Sequence, residues 1–346
     1  MTTTGHTRII TGSAAHLAGV RHLASSMYGA GAHQGKETFH AWCYGHDPHC
    51  PPHVEGPVVA VTDDGRVTGM MDKLYMAWNV EGTIMRFPST CNLAIVPESR
   101  KGGLGVRLVL AYMRGEEHVL VSGANAQSAP LYRSLKYQEL TGAFWGWRLL
   151  APVRAAWRYG MHRALGREVA MVGAALSGEV GGHPYTSAPD AATLDALALL
   201  LNDRPHAVRP HWTAAGLHWR CFHPQGPRHV LVHAPGAQGA MEGALVMAIG
   251  RRHGLRTARF IAYNAPGPGR LAGLFAAGIA WCRRHDVDVV GVFTLEPHEA
   301  DLLRRTGFRP RRHPPATFFH HRDRARRFDD VLVQGISWDM GLEGMA

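Results

Sequence analysis

The sequence predicts an α/β protein built as two mixed-sheet domains in tandem, and three observations predict it. The stretch from Cys91 to Tyr137 reads as strand, glycine turn, helix, strand, helix, the order that places two strands parallel. Residues 57–96 read as long antiparallel strands joined by short turns, so the same sheet is mixed. Residues 188–308 then repeat the order in weaker form, and internal repetition on that scale points to tandem domains. At 346 residues the chain also exceeds the usual size of one compact domain.

Taken in order, residues 13–28 place Leu17, Val20, Leu23 and Met27 on one helical face, with Ser13 as N-cap. Glu37 to Tyr44 forms a second helical piece, followed by a proline-rich loop. Pro57–Thr62 and Val67–Met71 make a hairpin around Asp63-Asp64-Gly65-Arg66. Leu74–Trp78 continues it, Val80-Glu81-Gly82 turns, and Thr83 to Val96 returns as a long strand ended by Pro97. Past the glycine turn, Leu104, Val106, Leu108, Val109 and Tyr112 mark a helix, Val119–Ser122 a strand, and Asn125–Tyr132 the start of another helix. Gln138 to Leu150 is expected to finish the first sheet, with Trp145 and Trp147 in its core.

Domain limits follow as 1–150, a helical linker over 151–183 closed by Gly181-Gly182, and 184–346. In the second half, Ala188–Leu201 is helical, and Leu217–Pro224 echoes Trp42-Cys43-Tyr44 with its downstream prolines. His229–His233 pairs with Ala244–Ala248, and Ala258–Tyr263 is the next strand. Leu271–Arg283 is a helix, Asp288–Val-Val-Gly-Val-Phe-Thr294 a strand, and Ala300–Phe308 the closing helix.

Chemistry enters at Arg100-Lys101-Gly102-Gly103-Leu104-Gly105. A glycine turn opening a helix leaves amides without intrahelical acceptors, aims the positive end of the helix dipole outward and lets backbone approach a ligand, which suits a pyrophosphate. The spacing R-x-x-G-x-G directly after a strand, with Asn125-x-x-Ser128-x-x-Leu131-Tyr132 about twenty residues later, resembles the acyl-CoA loop and fourth helix of the GNAT superfamily of N-acyltransferases. Ala300 to Phe308 is similar to the close of that same helix in a second copy. The two-copy layout is also similar to the tandem GNAT proteins of the Fem-like group.

That resemblance implies tandem GNAT-like domains and direct attack of a small-molecule amine on an acyl-CoA thioester, most often acetyl-CoA. It places the phosphates on Arg100, Lys101, Gly102, Gly103, Leu104, Gly105 and Val106, and pantetheine on the strand amides of Leu93 and Ile95. Asn125 and Ser128 complete the cofactor set. Tyr132 takes the place of the tyrosine that protonates the leaving thiolate. The strand from Ile84 to Val96 has no carboxylate where a general base commonly stands, so a water relay anchored by Asp72 or Glu81, or by His40 or His46, is expected instead. The second copy has Asn264-Ala-Pro266-Gly-Pro268-Gly269-Arg270 at the turn, and its prolines remove donors, so only the first copy is expected to bind acyl-CoA.

The remaining composition narrows the partners. A net charge of +10 favours anionic ones: CoA phosphates, nucleic acid or acidic lipid. The start MTTTGHTRII has no leader pattern and no run of 18 apolar residues occurs, so a cytoplasmic protein without membrane insertion is expected. Five scattered cysteines point to reduced thiols. Cys43, His46, His49 and Cys50 have the chemistry of a zinc set, but four ligands within eight residues leave little chain to wrap an ion, and no metal is expected. Two other classes stay open. One is a Fem-like transferase using aminoacyl-tRNA, suggested by the charge and by the basic tract from His320 to Arg327; the other is a non-catalytic acyl-CoA-binding protein.

Overall fold

The computed structural model describes residues 7–29, 32–170, 172–173, 176–237, 240–323 and 325–337. Strand β1 (Thr7–Thr11) runs antiparallel to β2 (Val58–Thr62). Its five half-exposed residues carry too little apolar pattern to be read in advance. Helix α1 (Leu17–Tyr28) buries Val20, Leu23 and Ala24 against Val59 and Met70. The short α2 (Glu37–His40) runs into a π-helical turn, Ala41–Gly45, which sinks Trp42 and Cys43 into the core. The hairpin of β3 (Val67–Val80) and β4 (Thr83–Ile95) follows as the pattern predicts. Next come α3 (Leu104–Met113), β5 (His118–Ala124), α4 (Ala129–Ser134) and β6 (Gln138–Leu140).

The aromatic run after β6 does not finish this sheet. Strand β7 (Phe144–Leu149) pairs antiparallel with Val289–Thr294 in the second sheet, where Trp145 is buried and Trp147 lies 40% exposed. Helix α5 (Pro152–Leu165) is docked rather than free: Arg154 and Arg158 both reach the buried carboxylate of Asp288, at 2.8 and 2.7 Å. Gly181-Gly182 is not a boundary but the turn between β8 (Ser177–Val180) and β9 (His183–Thr186). Both glycines have positive φ, +57° and +76°, as a tight two-residue hairpin turn requires.

Helix α6 (Ala191–Asn202) is capped by the Asp190 carboxylate on the Thr193 amide at 2.8 Å. After β10 (Val208–Pro210), α7 (Ala214–Leu217) also runs into a π-helical turn, His218–Phe222, burying Trp219 and Cys221. The echo of Trp42-Cys43 in the sequence is thus a repeated local structure. The chain continues through β11 (His229–Pro235), β12 (Met241–Arg252), β13 (Leu255–Asn264), α8 (Pro268–Arg284), β14 (Val289–Thr294), α9 (Pro297–Arg305), β15 (Arg309–Pro310) and β16 (Ala316–His321).

Two compact units result. The first gathers residues up to Trp78, Ile84–Leu140 and Pro315–Asp329, around a sheet of order β1-β2-β3-β4-β5-β16-β6. The second holds Asn79–Thr83, Thr141–Pro314 and the chain from Asp330, around β15-β7-β14-β13-β12-β11-β9-β8. Each sheet carries a parallel pair near its centre, β4–β5 in the first and β13–β14 in the second. Strand β16 fits between β5 and β6 because both of its faces are apolar. Phe318 packs on Tyr132 at 5.6 Å, and Phe319 packs on Phe87 at 5.8 Å.

Candidate active site

The site begins where a pair of strands parts. β4 and β5 are paired at Ser89 with Leu120 and at Thr90 with Val121, and beyond that point they separate. Val96 turns its amide to Thr68 of β3 at 3.0 Å, so by strand alternation the amides of Leu93 and Ile95 point the other way, into the gap. The matching carbonyls are held by side chains: Leu93 accepts from the Tyr28 hydroxyl at 3.2 Å, and Ile95 accepts from Arg100 Nε at 3.2 Å. Leu93 and Ile95, the residues expected to hold pantetheine, thus turn their amides to the gap.

At the far end of the gap lies the glycine turn. Gly102 and Gly103 hold φ of +122° and +73°, and Gly103 is the left-handed N-cap of α3, with no side-chain cap. The amides of Gly103, Leu104, Gly105 and Val106 thus open the helix without intrahelical acceptors. Lys101, Gly102, Gly103 and Val106 are exposed, while Leu104 is buried under the turn. A Cβ built on Gly105 would come within 3.3 Å of Ile95 Cδ1, so the helix start sits against the end of β4. Arg100, directly before the turn, is tied by Nε to that same strand end.

Asn125 and Ser128, expected in the cofactor set, bond to each other's backbone at the start of α4. The Asn125 side chain accepts from the amides of Gln127 and Ser128 at 2.9 and 3.0 Å, while Ser128 Oγ accepts from the Asn125 amide at 3.1 Å. Their side chains build the entrance of α4 and so aim the helix. At its other end Lys136 occupies φ +62°, the left-handed position that Gly307 fills at +87° after α9.

Tyr132, on α4, is 2% exposed and packed between Tyr137 and Phe318. Its hydroxyl has the Thr90 side chain as hydrogen-bonding neighbour, and burial raises it above its ordinary pKa. Thr90 is the last paired residue before the strands part, so the phenol stands at the apex of the gap.

The opposite face of the sheet carries Asp72. Met71 packs with Tyr132 and Leu108, whereas Met70 packs with Val20 and Leu23, so strand alternation puts Asp72 on the α1–α2 face. There the fully buried carboxylate accepts from the Tyr44 hydroxyl at 2.8 Å and from Asn92 Nδ2 at 2.9 Å. Asn92, at φ +55°, in turn accepts from Gln34 at 2.9 Å, and the His40 ring stacks on Tyr44 at 6.3 Å. Burial raises the Asp72 carboxyl, against the nearby His40 and the hydrogen bonds from Asn92 and Tyr44. Burial also pushes the Tyr44 hydroxyl well up, with the Asp72 charge second. Sequence reasoning missed Tyr44, Asn92 and Gln34, because nothing local links them to Asp72.

Two expected candidates lie elsewhere. Glu81 is in the turn beyond β3, roughly 26 Å of strand past Asp72. Its amide donates to the Ala207 carbonyl at 2.7 Å, so it anchors the hairpin tip and is remote from the gap. His46 is exposed past the π-helical turn. The Cys43 thiol donates into the core to the Lys73 carbonyl at 3.6 Å, whereas the Cys50 thiol donates to Val54 at 3.4 Å, so the two sulfurs serve separate packing roles.

The second unit parts its strands in the same way but fills the opening. β13 and β14 pair from Thr257–Val289 to Phe260–Val292 and no further. Into that opening comes Gln334, which donates to the Tyr263 carbonyl at 3.1 Å, accepts from its amide at 3.3 Å, and bridges Thr294. The buried Arg220 holds the next turn through the Ile336 carbonyl at 3.3 Å. The helix that follows, α8, opens with Pro268 after Gly267.

A parted parallel pair, a glycine-turn helix at its end and the same order repeated can be compared with solved structures. N-myristoyltransferase from Saccharomyces cerevisiae with bound myristoyl-CoA superposes with a TM-score of 0.63 at 11% identity, covering 92% of this chain and 82% of that one. GCN5-related N-acetyltransferases from Kribbella flavida and Anabaena variabilis superpose at 0.56 each, with 14% and 12% identity. They cover 93% and 91% of this chain and 73% of each of theirs. The fold is that of tandem GNAT-like domains. No protein-family model and no curated protein sequence matches the chain. Among the described residues no helix is long and apolar enough to cross a membrane.

Proposed function

We propose that the chain is an acyl-CoA-dependent N-acyltransferase that moves an acyl group, acetyl or longer, to the amine of a small molecule. The observation that carries this reading is the parted β4–β5 pair, with the orphan amides of α3 at one end and Tyr132 at its apex. Pyrophosphate would lie on the amides of Gly103 to Val106, with Arg100 and Lys101 alongside, and pantetheine would run along Leu93 and Ile95. The acyl carbonyl would then reach the point where the strands diverge.

Acid and base sit on opposite faces of the sheet in this scheme. The acceptor amine would approach from the α1–α2 face and pass a proton through Tyr44 to Asp72, whose carboxyl burial raises above its ordinary value. As the tetrahedral intermediate collapses, the C–S bond breaks and Tyr132 would protonate the departing thiolate. One site per chain is the expected stoichiometry, because Gln334 and the two prolines occupy the equivalent features of the second unit.

Calorimetric titration with CoA tests the reading directly. Binding of one CoA per chain, together with release of free thiol from acyl-CoA in the presence of amines, is the expected result. Absence of CoA binding would overturn it and leave the aminoacyl-tRNA donor as the competing assignment. CoA binding without thiol release for any amine would favour the non-catalytic reading.

A further inference from the structure

Away from the candidate active site, two histidines meet across the first sheet. His118 opens β5 and His321 closes β16, and they are direct partners in the antiparallel register, with ring centroids 4.7 Å apart. Glu117 Oε1 lies 4.0 Å from His118 Nε2 and 3.9 Å from His321 Nε2, and the ligand atoms of the three residues all lie within 4.8 Å of one another. We propose that Glu117, His118 and His321 form a site for a divalent transition cation such as Zn²⁺, which clamps β16 onto β5.

Three features support this site. Nε2 of His321 is buried with no hydrogen-bond partner, a costly condition for an imidazole unless something ligates it. Its other nitrogen, Nδ1, lies 2.9 Å from the Asp323 carbonyl and accepts from the Asp323 amide at 3.0 Å, contacts that hold the ring in place. His118 is 1% exposed, so its ring meets His321 and Glu117 at a point shielded from bulk water.

The chemistry of the set points to zinc over magnesium or calcium, because two imidazoles and one carboxylate are borderline ligands. Bonds of about 2.1 Å in a tetrahedron separate ligand atoms by about 3.4 Å, so Glu117 needs to close on each imidazole by about 0.5 Å and the two imidazoles, within 4.8 Å of one another, by at most about 1.4 Å. Glu117, with 53% of its side chain exposed, leaves room for water as the fourth ligand. The backbone is already set, since the Arg322 amide donates to the Glu117 carbonyl at 2.8 Å. The Phe319 and Phe328 rings, 5.6 and 6.1 Å from His118, cover the cluster. Arg326 stacks on the outer Phe328 ring at 5.0 Å. No sequence spacing could show this set, because 117–118 and 321 meet only through strand pairing.

The test uses the full chain after chelator treatment, titrated with Zn²⁺ alone and followed by bound metal per chain and by Tm, with Co²⁺ as a spectroscopic probe. Expected are one Zn²⁺ per chain, a Tm rise of several degrees, and a Co²⁺ spectrum without intense thiolate charge transfer. Glu117→Gln changes a half-exposed side chain and should fold as the parent does, yet bind Zn²⁺ at least about 10-fold more weakly. His321→Ala should remove binding. Cys50→Ser should bind as the parent. Zn²⁺ binding that survives both Glu117→Gln and His321→Ala, a thiolate band with Co²⁺, or no saturable binding at all would each overturn the proposal.

Discussion

Replacing Gly105 by proline isolates a single backbone donor of the proposed phosphate cradle. Gly105 is the second residue of α3, so its amide has no intrahelical acceptor and proline there costs no helical hydrogen bond. Its φ is not in the left-handed region, unlike that of Gly103 at +73°, where proline cannot be accommodated and the fold itself would be disturbed. The added ring atoms would meet Ile95 Cδ1 and Leu131 Cδ2, at 3.3 and 3.8 Å from a Cβ, and both are methyl ends able to give. What disappears is one charge-assisted hydrogen bond to phosphate, about 1.5–3 kcal/mol, or about 10- to 150-fold in Kd for CoA. Gly105→Ala carries a Cβ and keeps the amide, so it should bind within about 3-fold of the parent, and its helix should gain up to about 1 kcal/mol. Calorimetry with CoA and thermal melts on both variants decide the matter. Parent-like affinity in Gly105→Pro with an unchanged melt, or equal losses in both variants, would refute the cradle.

Other outcomes follow from the same geometry. Tyr132→Phe should cut turnover by about 10²–10⁴-fold while leaving CoA affinity nearly intact, because only transition-state help is lost; near-parent turnover would make Tyr132 a packing residue. Asp72 must be ionised to accept a proton and burial raises its pKa, so the rate should climb as pH rises through that raised value. Asp72→Asn should abolish that limb and cost about 10²-fold or more in rate. The same sign makes Asp72 a stability contribution lost as pH rises, so the Asn variant should melt no lower than the parent at pH 8. His229, its Nδ1 donating to the Cys221 and Pro227 carbonyls at 2.8 Å, is pushed down to about 3, first by burial. Its neutral form therefore stabilises the fold above pH 6.5, and about 4–5 kcal/mol should be lost as pH falls from 6.5 through 3. Denaturant melts of His229→Gln should show a shallower acid limb, and an unchanged limb would show that another group carries it.

Much of this protein is written in short stretches of its sequence. The β3–β4 hairpin, the glycine turn, α3, β5 and the entrance of α4 each depend on residues within a few positions of one another, through strand alternation, turn glycines and helix capping. The same holds for the repeated π-helical turns behind Trp42 and Trp219. Tertiary structure decided the rest. The pattern of Phe144–Leu149 specifies a strand but not its sheet; pairing with β14, nearly 150 residues away, makes that choice. Likewise, apolar residues on both faces of β16 require burial on two sides, and only the slot between β5 and β6 offers it. Asp72 acquires Tyr44, Asn92 and His40 as neighbours because β3, β4 and the π-helical turn pack there, and burial alone raises its carboxyl. Glu81, equally eligible in sequence, is carried away by the length of the same strand, since strand rise converts a few residues into tens of ångströms. Local rules set which elements form, whereas long-range pairing, whose loop-closure entropy no local motif records, set which side chains share a site.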